Sequence, residues 1–377
     1  MKQTARIIST YSADVFGVCS ALYELGGMCV MHDASGCNST YSTHDEPRWY
    51  DIDSMVYISA ISEIEALMGD DEKLVSDVAR AAEELHPKFI AIAGTPIPTM
   101  TGFDFEAVAA LIEQRTGIPA FGFPTTGMNT YVKGASMALA AIAGRFVEKQ
   151  ATVRNGVNIL GLTPLDFSVN GADRSIARFL EESGFRVISR WAMGSDLEEL
   201  SRASAAQVNL VVSATGLGAA KVLRECFGIP YVVGIPIGTK QKEMLADALR
   251  EAVNTGERRV CRSSQAGDIA VIGEGVSALA LATAITLETG RGARVLCATE
   301  CGRDILRPAD AMTPDEDDII PALSGARIVV ADPLYKPVCP PEAKFVSLPT
   351  EAFSGRIFRK QIPDLIADFE IMKKEVE

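Results

Sequence analysis

The chain repeats one pattern: a short apolar run, a turn rich in glycine, proline or threonine, then apolar residues at helical spacing. "PKFIAIAGTP" is such a run, ending in a Gly-Thr-Pro turn, and its length suits a buried strand. "DFEAVAALIEQRTG" follows as a helix, with Asp104 placed to cap its first turn and Gly117 to end it. "IPAFGFP" is the next strand. "GVNILGLTP", "GFRVISRW", "VNLVVSAT" and "PYVVGIP" repeat the pattern, with helical stretches such as "GADRSIARFLEESG" between them. "DIAVIGEG", "ARVLCAT" and "ARIVVAD" carry it into the C-terminal third. Strands alternating with helices of this length predict an α/β fold of parallel sheets with right-handed crossovers.

The pattern contains an internal echo. "TGIPAFGFPTTG" (116–127) and "FGIPYVVGIPIGT" (227–239) both follow a helix and run Gly-Ile-Pro, strand, proline-containing loop. One αβ unit is expected to serve in two similar domains. Polar segments at 148–156 and 256–267 are the natural boundaries. They divide the chain into three Rossmann-like domains, 1–152, 153–262 and 263–377, each within the usual domain size. Ligands of open α/β sheets sit beyond the carboxyl ends of the strands. The expected ligand cleft therefore lies where loops of the three domains meet.

Composition narrows the function classes. Of 377 residues, 47% are apolar and 23% charged, which is ordinary for a globular chain. The net charge of −13 and the lack of any basic run argue against nucleic acid or an anionic membrane as partner. No apolar run reaches the ~18 residues of a membrane span. The first residues, "MKQTARIISTYSADVFG", lack the apolar core of a signal peptide, so a cytoplasmic location is expected. The eight cysteines form no C-x-x-C pair. In such a setting they are more often core residues, ligands or catalytic groups than disulfides.

Candidate chemistry is sparse. Gly273-x-Gly275-x-x-Ala278 lies between a strand and a helix, with Glu300 ending the next strand. That is a loose dinucleotide fingerprint, and it opens the alternative of an NAD(P)-dependent enzyme; a plain tight turn is the simpler reading. Gly216-x-Gly218 is weaker, and no P-loop motif occurs. Cys297 and Cys301 in "CATEC", with Cys339 further on, could face a site but match no cluster spacing, so core thiols are expected. His86 reads as a surface residue, which leaves His32 and His44 for acid–base chemistry. "THDEPRWY" reads as an exposed loop whose Arg48 and Trp49 could touch a partner, with solvated charge as the default expectation. The densest run of ligand-type residues is His32-Asp33-Ala34-Ser35-Gly36-Cys37.

That turn sits in a longer frame, "CSALYELGGMCVMHDASGC", which resembles the cluster-binding segment of the nitrogenase component 1 superfamily. The resemblance continues through "ISAISEIEALMGDDEKL", "IAIAGTPIPTMTGFDFEAVA", "VNILGLTPLDFSVNGADRSIARFLEESGFRVISRW" and "AAQVNLVVSATGLGAAKVLRECFGIPYVVGIPIGTKQKEMLADAL", covering most of residues 8–250. It implies three Rossmann-like domains and a 4Fe–4S cluster at a subunit interface. It also implies a homodimer, or a heterodimer with a sister component 1 subunit, and electron delivery by a separate ATP-dependent iron–sulfur reductase.

Carried over residue by residue, the resemblance makes Cys37 the cluster ligand of the Gly-Cys turn. His32 and Asp33 would steady that turn, Asp33 as a cap in preference to a ligand. The family's first cysteine falls near Val15 or Phe16, so Cys19, one helical turn on, or Cys29 is the nearest substitute thiol. Its third falls at Pro96, which has no sulfur. Substrate would lie among Thr95, Pro96, Thr125, Thr126, Ser213 and Thr215. The cysteine and histidine that hold a molybdenum–iron cofactor have no counterparts here. Ser213 stands at the cysteine position and no histidine follows His86, so no such cofactor is expected. The pattern is nearer to the nitrogenase-like tetrapyrrole reductases. A cluster-free scaffold or carrier for a metallocofactor or tetrapyrrole is the alternative.

Overall fold

The computed structural model describes Ile7 and residues 12–34, 46–69 and 71–377. Cys37 and His44 lie outside the described residues. Three separate sheets form the frame. The first contains β1 (Met28–His32), β2 (Met55–Ile58), β3 (Ile90–Gly94) and β4 (Ala120–Phe123) in the order β2-β1-β3-β4. The second contains β5 (Gly156–Leu160), β6 (Arg186–Arg190), β7 (Val208–Val211), β8 (Tyr231–Val233) and β9 (Arg259–Val260), ordered β6-β5-β7-β8-β9. The third contains β10 (Ile269–Gly273), β11 (Ala293–Cys297), β12 (Ala311–Met312), β13 (Ile328–Ala331) and β14 (Lys344–Ser347), ordered β12-β11-β10-β13-β14. Every strand pairing within these sheets is parallel. The α/β class read from the sequence is the class observed.

The first two sheets share one plan, the second strand, then the first, third and fourth; the third sheet runs third, second, first, fourth, fifth. The echo at 116–127 and 227–239 has this physical basis, because β4 and β8 occupy the same fourth position. The plan also fixes where chemistry belongs. At the first strand the order reverses, toward the third strand in the first two sheets and toward the fourth in the last, and the loops there part to leave a crevice. The first such point is marked by His32 opposite Gly94. The second lies beyond the Leu160–Val211 pair. The third lies past Gly273 and Ala331.

The inner strands are buried along their whole length, as in β1, β3, β5 and β7. Their apolar runs are therefore continuous instead of alternating. The helix that follows β3 is capped as expected. Asp104 accepts the Ala107 N–H at 3.0 Å, and Gly117, at φ 70°, donates to Glu113 O at 2.8 Å.

The helix Tyr131–Phe146 joins the first sheet to the second. It crosses the helix Asp14–Leu22 at a contact between backbones. A Cβ at Gly17 would lie 2.0 Å from Tyr131 O, and one at Gly134 would lie 1.8 Å from Asp14 O. On its other side, a Cβ at Gly218 would lie 2.5 Å from Ser136 O. Glycine is required at these crossings by proximity, and at Gly117 by conformation.

Candidate functional site

The first crevice gathers most of the residues singled out near Cys37. The Thr95 hydroxyl is 2.9 Å from His32 O and 3.0 Å from Asp33 Oδ1. Ser59 Oγ is 2.8 Å from His32 Nδ1 and accepts the Asp33 N–H at 3.1 Å. The His32 ring rests on Phe103 with centroids 4.5 Å apart. Burial pulls its pKa down to about 4, against the opposing pull of Asp33 and Glu65, so the imidazole is neutral near pH 7. A cavity of about 490 Å³ opens beside it, lined by Val30, Ser59, Glu65, Leu74 and Phe103.

Thr125 donates to Gly94 O at 2.8 Å. The loop after it is held by Asp14, whose carboxylate accepts the N–H groups of Thr126 at 3.1 Å and Gly127 at 2.8 Å, and Asn129 Nδ2 at 2.9 Å. Pro96 opens the helix Pro96–Thr101. Around this crevice stand exposed apolar side chains: Ile64, Leu67 and Met68 on the helix Glu63–Met68, Ile97 and Met100 on the adjacent helix, and Met128 on the loop. Met100 and Met128 are 86% and 83% exposed.

Ser213 and Thr215 lie apart from that group, at the junction of all three sheets. Tyr131, from the helix Tyr131–Phe146, donates its hydroxyl hydrogen to Asp166 Oδ1. Thr163 Oγ1 donates to Asp166 Oδ2 at 2.8 Å, and Ser213 also hydrogen-bonds this carboxyl. Thr215 Oγ1 is 2.9 Å from Ser213 Oγ. From the third sheet, the Glu274 carboxylate accepts the N–H groups of Ala214 at 2.9 Å, Val276 at 3.0 Å and Ser277 at 2.8 Å.

Asp166 and Glu274 line one cleft of about 100 Å³, walled by Phe167, Ile235, Ile237, Leu281 and Phe353. Burial, then the Glu274 charge, pushes the Asp166 carboxyl up to about 7, against its three hydrogen bonds. Burial also raises Glu274 and, well above its ordinary range, Tyr131. No lysine or arginine lines the cleft among the described residues. The Thr350 hydroxyl lies on the same wall, buried and without a hydrogen-bond partner.

Three expectations need correction. The turn at 273–278 is not shaped for a dinucleotide. A pyrophosphate would need the free N–H groups at the start of the helix Gly275–Thr289, and Glu274 already takes those of Val276 and Ser277. A Cβ at Gly275 would meet Cys301 Sγ at 2.4 Å and Cys297 Sγ at 3.3 Å, so sulfur fills the space above the turn. Glu300, in the ribose position, instead accepts Thr130 N–H at 3.0 Å.

The second correction concerns "THDEPRWY". Its middle is not solvated: Glu46 and Arg48 are 1% and 2% exposed, while Tyr50 at its end is exposed. Arg48 Nε bonds Glu46 Oε1 at 2.7 Å, and Nη1 bonds Glu24 at 2.9 Å and Ala192 O at 2.8 Å. The arginine thus ties the first sheet's elements to the loop after β6, at a residue with φ 91°.

The third concerns the thiols. Cys19 and Cys29 face each other inside the core, on the helix Asp14–Leu22 and on β1. Their mutual hydrogen bond, then burial, pushes the Cys19 thiol well above its ordinary pKa. Neither residue lines the cavity beside His32. Cys297 and Cys301 likewise hydrogen-bond each other, which with burial raises Cys301. Cys339 instead bonds Pro340 O at 3.6 Å. Among the described residues, no three of His, Cys, Asp and Glu converge as a metal site. A thiolate-bound cluster therefore does not fit the described residues of this chain alone.

Tyr131, Asp166 and Glu274 escaped notice in the sequence. Two of them sit in segments read for something else, Asp166 in "LTPLDF" and Glu274 in "GEG". The available signal was position, since Asp166 and Glu274 both follow the first strand of their sheets.

The fold is that of a three-sheet α/β protein with clefts beyond the strand ends. The profile described as nitrogenase component 1 type oxidoreductase matches residues 15–300, and the chain belongs to that family. Among curated relatives, the nitrogenase iron-molybdenum cofactor biosynthesis protein NifE of Clostridium pasteurianum is 28% identical over 177 residues, 46% of this chain and 38% of that protein. A component chain of the light-independent protochlorophyllide reductase of Nostoc punctiforme is 26% identical over 201 residues, 49% of this chain and 39% of that protein. The matches thus span about two-fifths of the relatives' length. The solved structure "Nitrogenase Cp1 at pH 6.5" superposes with a TM-score of 0.72 over 100% of this chain and 93% of that chain, at 18% identity, which speaks to the fold. No helix among the described residues is long and apolar enough to cross a membrane.

Proposed function

We propose that the chain is a nitrogenase-like oxidoreductase subunit that works pressed against a second component 1 chain. The reading rests on one observation. The first crevice, at the end of the strand that carries His32, is ringed by the exposed side chains of Ile64, Leu67, Met68, Ile97, Met100 and Met128. Exposed apolar clusters of this kind mark protein interfaces. A 4Fe–4S cluster at that interface would take Cys37 from this chain and its other thiolates from the partner. Electrons would come from an ATP-dependent iron–sulfur reductase. The substrate is an unsaturated, largely apolar molecule, of the tetrapyrrole class on the analogy of protochlorophyllide, with its reducible edge at the central cleft. Leu67→Asp with Met100→Asp tests the interface: light scattering should show the assembly fall to single chains, and an unchanged mass would contradict the reading.

A scaffold role is the second reading, favoured by Pro96 at a ligand position and by the likeness to a cofactor biosynthesis protein. Tight binding of a metallocofactor, with no electron uptake from any ATP-dependent donor, would support it.

A further inference from the structure

The central junction holds two carboxyl groups from different sheets on the wall of one cleft, and the surrounding structure keeps both in place. Asp166 is fixed by Tyr131, Thr163 and Ser213. Glu274 is fixed by three backbone N–H groups. Ser213 and Ala214 are consecutive, so one stretch of loop touches both carboxyls. Asp166 is deep in the molecule yet keeps part of its surface open. The cleft it opens on is otherwise walled mostly by apolar side chains, among them Phe167, Ile235, Ile237, Leu281 and Phe353.

We propose that Asp166 and Glu274 share one proton and that Asp166 donates it to a molecule bound in this cleft. Like charges in a low-dielectric site do not both ionise, so one proton is retained by the pair. The inference rests on the reductive reading above and names its acid. Reduction of a C=C or C=N bond takes two electrons and two protons. The low-potential iron–sulfur donor supplies the electrons. The Asp166 O–H bond breaks as a C–H or N–H bond forms on the substrate, solvent supplies the second proton, and the carboxyl pair is reprotonated from solvent. Tyr131 is a positioning residue, because it orients the Asp166 carboxyl by its hydrogen bond.

The cleft also selects its ligand. Asp166, Glu274 and Asp332 line it and no lysine or arginine does, among the described residues. A carboxylate or phosphate is disfavoured there, whereas an apolar heterocycle bearing a basic nitrogen is favoured.

The groups that face Asp166 are Tyr131 from the first sheet's side, Ser213 and Thr163 from the second, and Glu274 from the third; Cys297, Asp332 and Tyr335 lie just beyond. The test uses the full chain in two measurements. Infrared titration with carboxyl-labelled aspartate should show one carboxyl ionising near neutrality, lost in Asp166→Asn. Its midpoint should fall in Glu274→Gln and rise in Tyr131→Phe, shifts that a merely structural role would not produce. 2-Aminoquinoline, an apolar aromatic base matched in strength to that carboxyl, should show the absorption of its protonated form when bound to the wild-type chain above neutral pH and lose it with Asp166→Asn. A titration without that carboxyl, a midpoint indifferent to Glu274→Gln, or identical absorption of the bound base with wild type and variant would overturn the proposal. Neither measurement involves an electron donor or a cluster, so its failure is separable from failure of the reductive reading.

Discussion

Tyr131 and Asp166 are joined by a hydrogen bond that links the helix after the first sheet to the turn after β5. Its surroundings give stability a definite pH dependence. Asp166 ionises at about 7, against 3.8 for the free side chain. The folded chain therefore holds a proton that the unfolded chain releases between about pH 4 and about pH 7. That contribution is complete below the window and is lost as pH rises through it, on the order of 4 kcal/mol in all. Thermal melts of Asp166→Asn should lack the decline that wild type shows from about pH 6 to about pH 7, where the Asp166 slope acts alone.

His32 acts with the opposite sign. Its pKa is lowered from 6.5 to about 4, because the buried ring resists charging. Stability from this group is complete above the unfolded value and is lost as pH falls through the folded one. Below about pH 6 the two slopes oppose each other, so Asp166→Asn should lose stability on acidification more steeply than wild type. Nitrogen-15 spectra should show the His32 imidazole neutral down to about pH 4.

Two glycines of one helix should respond oppositely to alanine. Gly134→Ala drives a methyl into Asp14 O, 1.8 Å from the ideal Cβ, and should cost about 3 kcal/mol or more. Gly144 has open space around the same position. Gly144→Ala should stabilise by about 0.5–1 kcal/mol through helix propensity alone. Denaturant midpoints measured side by side check both.

Arg48→Met removes the cation that faces Glu46 and Glu24 and leaves carboxylates in a buried setting. A loss of about 3–5 kcal/mol is expected by chemical denaturation. Arg48→Lys should recover only part of it, since a single ammonium cannot reproduce the fork that meets Glu46, Glu24 and Ala192 O.

The strands, the capped helix at 105–116 and the parallel class were legible because continuous apolar runs and caps are local signals. Asp104 and Gly117 could be placed from the sequence for that reason. Arg48 could not: its partners are Glu24 and Ala192, and a charged residue next to proline reads as solvated without them. The turn at 273–278 misled for a related reason. Two glycines allow a pyrophosphate, but the residue between them, Glu274, occupies the N–H groups that one would use. Asp166 and Tyr131 were hidden because their meaning arises only where three sheets converge.

The most direct test of the proposed function is anaerobic purification of the tagged chain from its own cells, as wild type and as Cys37→Ala, with iron, acid-labile sulfide and associated chains determined together. The prediction is a second component 1 chain and a thiolate-bound iron–sulfur chromophore with wild type, and loss of the iron and sulfide with Cys37→Ala. A wild-type chain isolated alone and free of iron, or iron and sulfide unchanged by Cys37→Ala, would contradict it.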